Sequence, residues 1–119
     1  MTEKYIEQAL QELHISKRYA GRRQLAGALK LALEDENRTL KINAQIYAPV
    51  AEQLGGGPET IARNIRTIAR RTWDLHPDAL QKMAGRPLDG PPKASEMVEI
   101  IMTYILRTWP DAWSYSNSD

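Results

Sequence analysis

Residues 41–73 read KINAQIYAPVAEQLGGGPETIARNIRTIARRTW. Ile42, Ile46, Val50 and Leu54 recur every four residues, the spacing of one helical face. Pro49 interrupts that face, because it lacks a backbone donor and crowds the carbonyl of Gln45. The pattern therefore predicts a kink, or two short helices meeting near Tyr47-Ala48. Gly55 follows Leu54, where a helix end favours a left-handed residue. Pro58 suits the first turn of a new helix, where its missing donor costs nothing. That helix is predicted to run from about Pro58 to Trp73.

Its two faces differ. With Ile61 at zero and about 100° per residue, Ile65, Ile68 and Thr72 fall within about 40° of it. Arg66, Arg70 and Arg63 fall at roughly 140°, 180° and 200°. Solvated helix faces usually mix charge signs at i,i+4, yet within residues 58–73 only Arg63 has such a partner, Glu59. Arg66 and Arg70 repel each other at that spacing, by a few tenths of a kcal/mol in an isolated helix. An anion opposite the face would relieve this. The helix alone leaves nucleic acid and a solvated face level.

Working outward, Ile6, Ala9, Leu10 and Leu13 mark a first amphipathic helix. Leu25, Ala28, Leu29, Ala32 and Leu33 mark a second, ending near Glu34-Asp35-Glu36. Gly27 weakens it by roughly 1 kcal/mol relative to alanine, so a close helix contact is expected there. A short helix over Asp78 to Met83, a loop over 85–93, and a last helix from a Ser95 N-cap to Arg107 follow. Pro110 stops that helix, and a fraying tail carries Trp113 and Tyr115. The fold class is all-α, a compact bundle of about five to six helices. Residues 1–109 are read as a single domain and 110–119 as a short tail.

Bulk properties narrow the function classes. A chain of 119 residues buries a core without disulfides or metal, and it has no cysteine to supply either thiolate ligands or a thiol nucleophile. Net charge is only +1, so any basic site must be local. No run approaches the roughly 18 apolar residues of a membrane span, and the N-terminus lacks a signal-peptide pattern. A cytoplasmic protein is expected. GGGP is not a phosphate loop, since no Gly-Lys-Ser/Thr follows. His14 and His76 have no metal-spaced partner and read as structural. No nucleophile–base pair or carboxylate dyad is visible, so no enzyme, cofactor, metal or small-molecule substrate is expected.

Val50-Ala51, then Leu54-Gly55, then Ile61 is similar to helix-turn-helix spacing: a small residue for close crossing, a glycine for the turn, apolar residues to lock the second helix. The next apolar position falls on Ile65 rather than Asn64, a slip that a longer glycine turn accounts for. The chain also resembles the C-terminal DNA-binding effector domain of the stage-zero sporulation protein A family. LHISKRYAGRRQLAGALKLALED looks like that family's first helix, glycine turn and second helix. KINAQIYAPVAEQLGGGPETIARNIRTIARRTW looks like its helix-turn-helix, with the Tyr-x-Pro-x-x-Ala stretch and the closing tryptophan. PPKASEMVEIIMTYI looks like its final helix. The likeness spans about residues 6 to 107.

The resemblance implies a helical fold that puts residues 58–73 into the DNA major groove. Arg63 and Arg66 match family positions that carry arginine and touch DNA, where a guanidinium can grip guanine or a phosphate. Departures are the Gly55-Gly56-Gly57-Pro58 turn, where the family has Thr, Ser and Asn, and Ala62 and Thr67 in place of longer polar residues. The family's receiver domain is not present in this sequence, so control through an attached receiver is not expected.

The expected DNA-binding set is Arg63, Arg66, Thr60, Thr67, Glu59, Asn64 and Arg70, with Lys41 as a phosphate contact. Lys17-Arg18 and Arg22-Arg23 read equally as flanking phosphate contacts or as a solvated turn. The reading is a sequence-specific transcriptional regulator acting on double-stranded DNA, as a dimer or in tandem. Its alternative is a protein-interaction module of the same fold that has lost DNA binding and modulates a full-length regulator.

Overall fold

The computed structural model describes residues 2–112, and they contain helices and no strand. Six α-helices follow in order: α1 (Thr2–Glu12), α2 (Arg22–Glu34), α3 (Ala48–Leu54), α4 (Pro58–Leu75), α5 (Pro77–Ala84) and α6 (Ala94–Thr108). A 3-10 segment (Glu36–Lys41) and a π-helical turn (Asn43–Tyr47) connect α2 to α3. The Cα radius of gyration is 13.2 Å, that of a compact bundle.

The helices form where apolar residues share a face. α2 packs against α1, α3, α4 and α6, and Leu25, Ala28, Leu29, Ala32 and Leu33 are buried along it. Each buried leucine or isoleucine contributes roughly 1.5–3 kcal/mol of transfer free energy. α1 ends with His14 in the left-handed region (φ 60°), a position usually held by glycine. The Ile15 amide reaches back to the Leu10 carbonyl at 3.0 Å and the His14 amide to Gln11 at 2.9 Å, which satisfies the helix end. The His14 ring stacks on His76, with centroids 4.3 Å apart and planes at 24°. The two histidines are thus not isolated, although nothing in their sequence spacing suggested contact.

Pro49 acts as expected, and in a specific way. The helix ahead of it widens into a π turn, in which the Ala48 amide bonds the Asn43 carbonyl, and regular α-helix starts at Ala48. The two pieces meet at Tyr47-Ala48. Tyr47 is buried there, and burial pushes its hydroxyl up to about 12. The sequence pattern did not indicate the preceding 3-10 segment. Asp35 caps it through Asn37, and Arg38 ties it to Glu34 and the Leu31 carbonyl. Lys41 therefore closes the 3-10 segment, and Asn43 opens the π turn.

Gly27 faces Val50, but a Cβ added there would lie 3.6 Å from the nearest Val50 methyl, an ordinary contact. The tight approach is instead at Gly21, where a Cβ would meet the Asn64 Cβ at 2.8 Å. α6 starts one residue before the expected cap: Lys93 is the last extended residue, and Ser95 already lies in the first turn. Trp109 stacks on Tyr5 at 5.1 Å and meets Tyr104 edge-on at 5.8 Å. Trp73 is half-buried against the core. Residues 110–112 add a helical turn that buries Ala112, and the Asp111 carboxylate accepts from the Tyr5 hydroxyl. Trp113 and Tyr115 lie outside the described residues.

Candidate nucleic-acid interface

α4 owes its position to its apolar stripe. Ile61, Ile65, Ile68, Ala69 and Thr72 are buried, and α2, α3, α5 and α6 all pack on the helix. The one polar member of the stripe, Thr72, donates to the Ile68 carbonyl at 2.8 Å, so its own buried hydroxyl is paired. Pro58 starts the helix after Gly55 (φ 91°) and Gly56 (φ 81°), conformations that favour glycine. The Gly55 amide closes α3 on Ala51 at 2.7 Å. Thr60 is half-buried beneath Gly56, and Glu59 folds back toward Gly57.

The opposite face is exposed. Glu59, Arg63, Arg66 and Arg70 line it over roughly 16 Å, at 1.5 Å per residue. Among the described residues, Arg63, Arg66, Arg70 and Arg71 have no carboxylate within 4.0 Å, because the ion pairs lie elsewhere. Glu59 and Arg63, which the spacing would allow to pair, do not do so. The face therefore presents unneutralised guanidinium groups on a helix held from behind by four others.

Two clefts run along this face. One, about 670 Å³, lies between the π turn and the first half of α4, with Ala44, Ala48 and Ala62 as its small residues and Arg63 and Arg66 at its α4 side. The other, about 540 Å³, continues past Arg66 along Thr67, Arg70, Arg71 and Asp74 to the exposed Leu75, and Asp74 lines it without pairing with any of the arginines within 4.0 Å. Arg66 borders both. Lys41 is exposed ahead of the π turn, and Asn43 borders the first cleft.

Two of the expected residues are engaged within the protein. The Asn64 amide donates to Gln24 of α2 at 2.8 Å, and the residue packs against Gly21. The Thr67 hydroxyl donates to the Arg63 carbonyl at 3.0 Å, which leaves its oxygen free to accept. Arg22 also differs from its neighbours in the α1–α2 turn. It is buried, grips both Glu7 oxygens at 3.0 and 2.9 Å, and bonds the Ile15 carbonyl through Nε. The Arg22 guanidinium holds the Glu7 carboxyl below its ordinary range. Arg22 is thus a structural tie. The small floor of the first cleft and the Gln24 contact gave no local signal, since each joins residues far apart in the chain.

The fold and this face agree with what comparison finds. The chain matches the family model described as Sporulation initiation factor Spo0A C terminal over residues 6–105. No curated protein and no solved structure matches the chain. No helix among the described residues is long and apolar enough to cross a membrane. A match over that span, on an all-helical fold with an uncompensated basic helix face, assigns the chain: it belongs to the Spo0A C-terminal family, a family of DNA-binding regulatory domains.

Proposed function

We propose that this chain is a sequence-specific transcriptional regulator of the cytoplasm, and that α3, the glycine turn and α4 form its helix-turn-helix. α4 enters the major groove, which is about 12 Å wide and admits one helix. Arg63 and Arg66 reach base edges or phosphates, Glu59, Thr60, Thr67 and Arg70 line the same contact, and Lys41 with Asn43 holds a phosphate at the edge. Asn64 supports the helix through Gln24. Residues 1–109 form the binding domain, which acts on DNA as a dimer or in tandem because one short helix reads few base pairs. The supporting observation is the exposed arginine stripe, which lacks acid partners on a helix whose other side is fully packed.

The test is fluorescence anisotropy with the tightest 20-base-pair duplex recovered from a randomised pool, across a salt series. Affinity should fall steeply with salt, and Arg66→Ala should cost roughly 1–3 kcal/mol if it reads a base. The glycine turn places no side chain beside the groove, which favours the interaction-module alternative. Absence of binding at low salt would sink the DNA reading and promote that alternative.

A further inference from the structure

α4 is flanked on both sides. The π turn borders the flank that carries Ala62, and the α1–α2 turn borders the flank that carries Asn64, Thr67 and Arg71. On the second side a cleft of about 310 Å³ runs between the turn and the helix, lined by Arg18, Tyr19, Gly21, Asn64, Thr67 and Arg71. The Arg71 guanidinium lies over the Tyr19 ring, 5.5 Å from its centroid, which holds it toward the turn.

The cationic residues of this turn have separate fates. Arg22 is spent on Glu7, and Lys17 lies 3.9 Å from the same carboxylate. Arg18 and Arg23 are exposed and have no carboxylate within 4.0 Å among the described residues. α2 begins beside them with no acid in its first turn and no side-chain cap. Glu7 therefore neutralises the buried Arg22, lies at the edge of reach of the exposed Lys17, and leaves Arg18 and Arg23 bare.

A helix lying in a major groove has a phosphate strand on each side. The Lys41–Asn43 edge serves one strand. Resting on the DNA-binding reading above, we propose that Arg18, which shares the cleft with Arg71, and Arg23, exposed in the first turn of α2, form a second phosphate-contacting wall that grips the opposite strand. The close Gly21–Asn64 approach and the Gln24–Asn64 hydrogen bond fix the spacing between this wall and the recognition helix. Sequence preference would then depend on both walls holding α4 at one depth.

The experiment uses the full chain and the same selected duplex. Arg18→Gln/Arg23→Gln is compared with wild type and with Lys82→Gln on α5, an exposed cation outside both walls. Each phosphate contact adds about 0.9 to the slope of log affinity against log salt, so the double variant should lose roughly 2 from that slope. Phosphate ethylation should interfere with wild-type binding on both strands of each half-site, and the double variant should lose interference on one strand of each half-site only. Unchanged melting temperature checks the fold, since neither side chain is buried. An unchanged slope and ethylation pattern in the double variant would overturn the second wall while leaving DNA binding intact. A wild type without binding would overturn both, and equal loss on the two strands within one half-site would point to general charge and reject the wall.

Discussion

Gly21→Ala should be the most damaging single-methyl change where the α1–α2 turn docks on α4. Gly21 has φ −83° and ψ 0°, a conformation open to any residue, so the effect is steric rather than conformational. The new Cβ would lie 2.8 Å from the Asn64 Cβ, 3.1 Å from the Asn64 oxygen and 3.2 Å from its carbonyl carbon. Two of these three atoms belong to the α4 backbone and cannot rotate away. Reaching carbon–carbon contact at about 3.5 Å requires the turn and α4 to separate by more than half an ångström. That separation would stretch the Gln24–Asn64 hydrogen bond, now 2.8 Å. Overpacking of this kind costs about 1–3 kcal/mol. At about 4 °C per kcal/mol for a domain of this size, the melting temperature should fall by roughly 4–12 °C. Thermal unfolding followed by circular dichroism measures this, with Gly90→Ala as control, because nothing lies within 4 Å of a Cβ there. Asn64→Gly in the Gly21→Ala background should couple favourably, since it removes the nearer carbon atom. If Gly21→Ala melts within about 1 °C of wild type, the close docking of turn on helix is refuted.

Gly27→Ala should stabilise the protein by about 0.5–1 kcal/mol, since Val50 stands at ordinary contact distance and the unfolded chain loses freedom; chemical denaturation would show it. Glu7 has its carboxyl lowered by Arg22, so its contribution to stability is fully present above its ordinary value of 4.5 and is lost as pH falls through the lower folded value. Glu7→Gln should therefore destabilise the protein at neutral pH and flatten the fall in stability below about pH 4.5, as read from melts across pH 2–7.

The α-helices and the two faces of α4 were legible from residue spacing. Ile61, Ile65, Ile68 and Thr72 share a side because about 100° per residue leaves no other arrangement, and the same rotation collects Arg63, Arg66 and Arg70 opposite. Pro49 placed its own break at Tyr47-Ala48, because a missing donor is a local fact. These features depend on neighbours within one or two turns. The family likeness, carried by motifs spread over most of the chain, supplied the fold and the DNA-binding class.

Which cations stay free depends on how the helices pack. Arg22 and Arg23 are adjacent and chemically identical, yet one is buried against Glu7 and the other is bare. That outcome depends on how α1 crosses α2, which no periodicity encodes. Asn64 donates to Gln24, forty residues earlier in the chain, a bond that the spacing along α4 does not reveal. Gly27 and Gly21 exchanged importance for the same reason: a close approach is a property of two backbones, and a sequence shows one at a time.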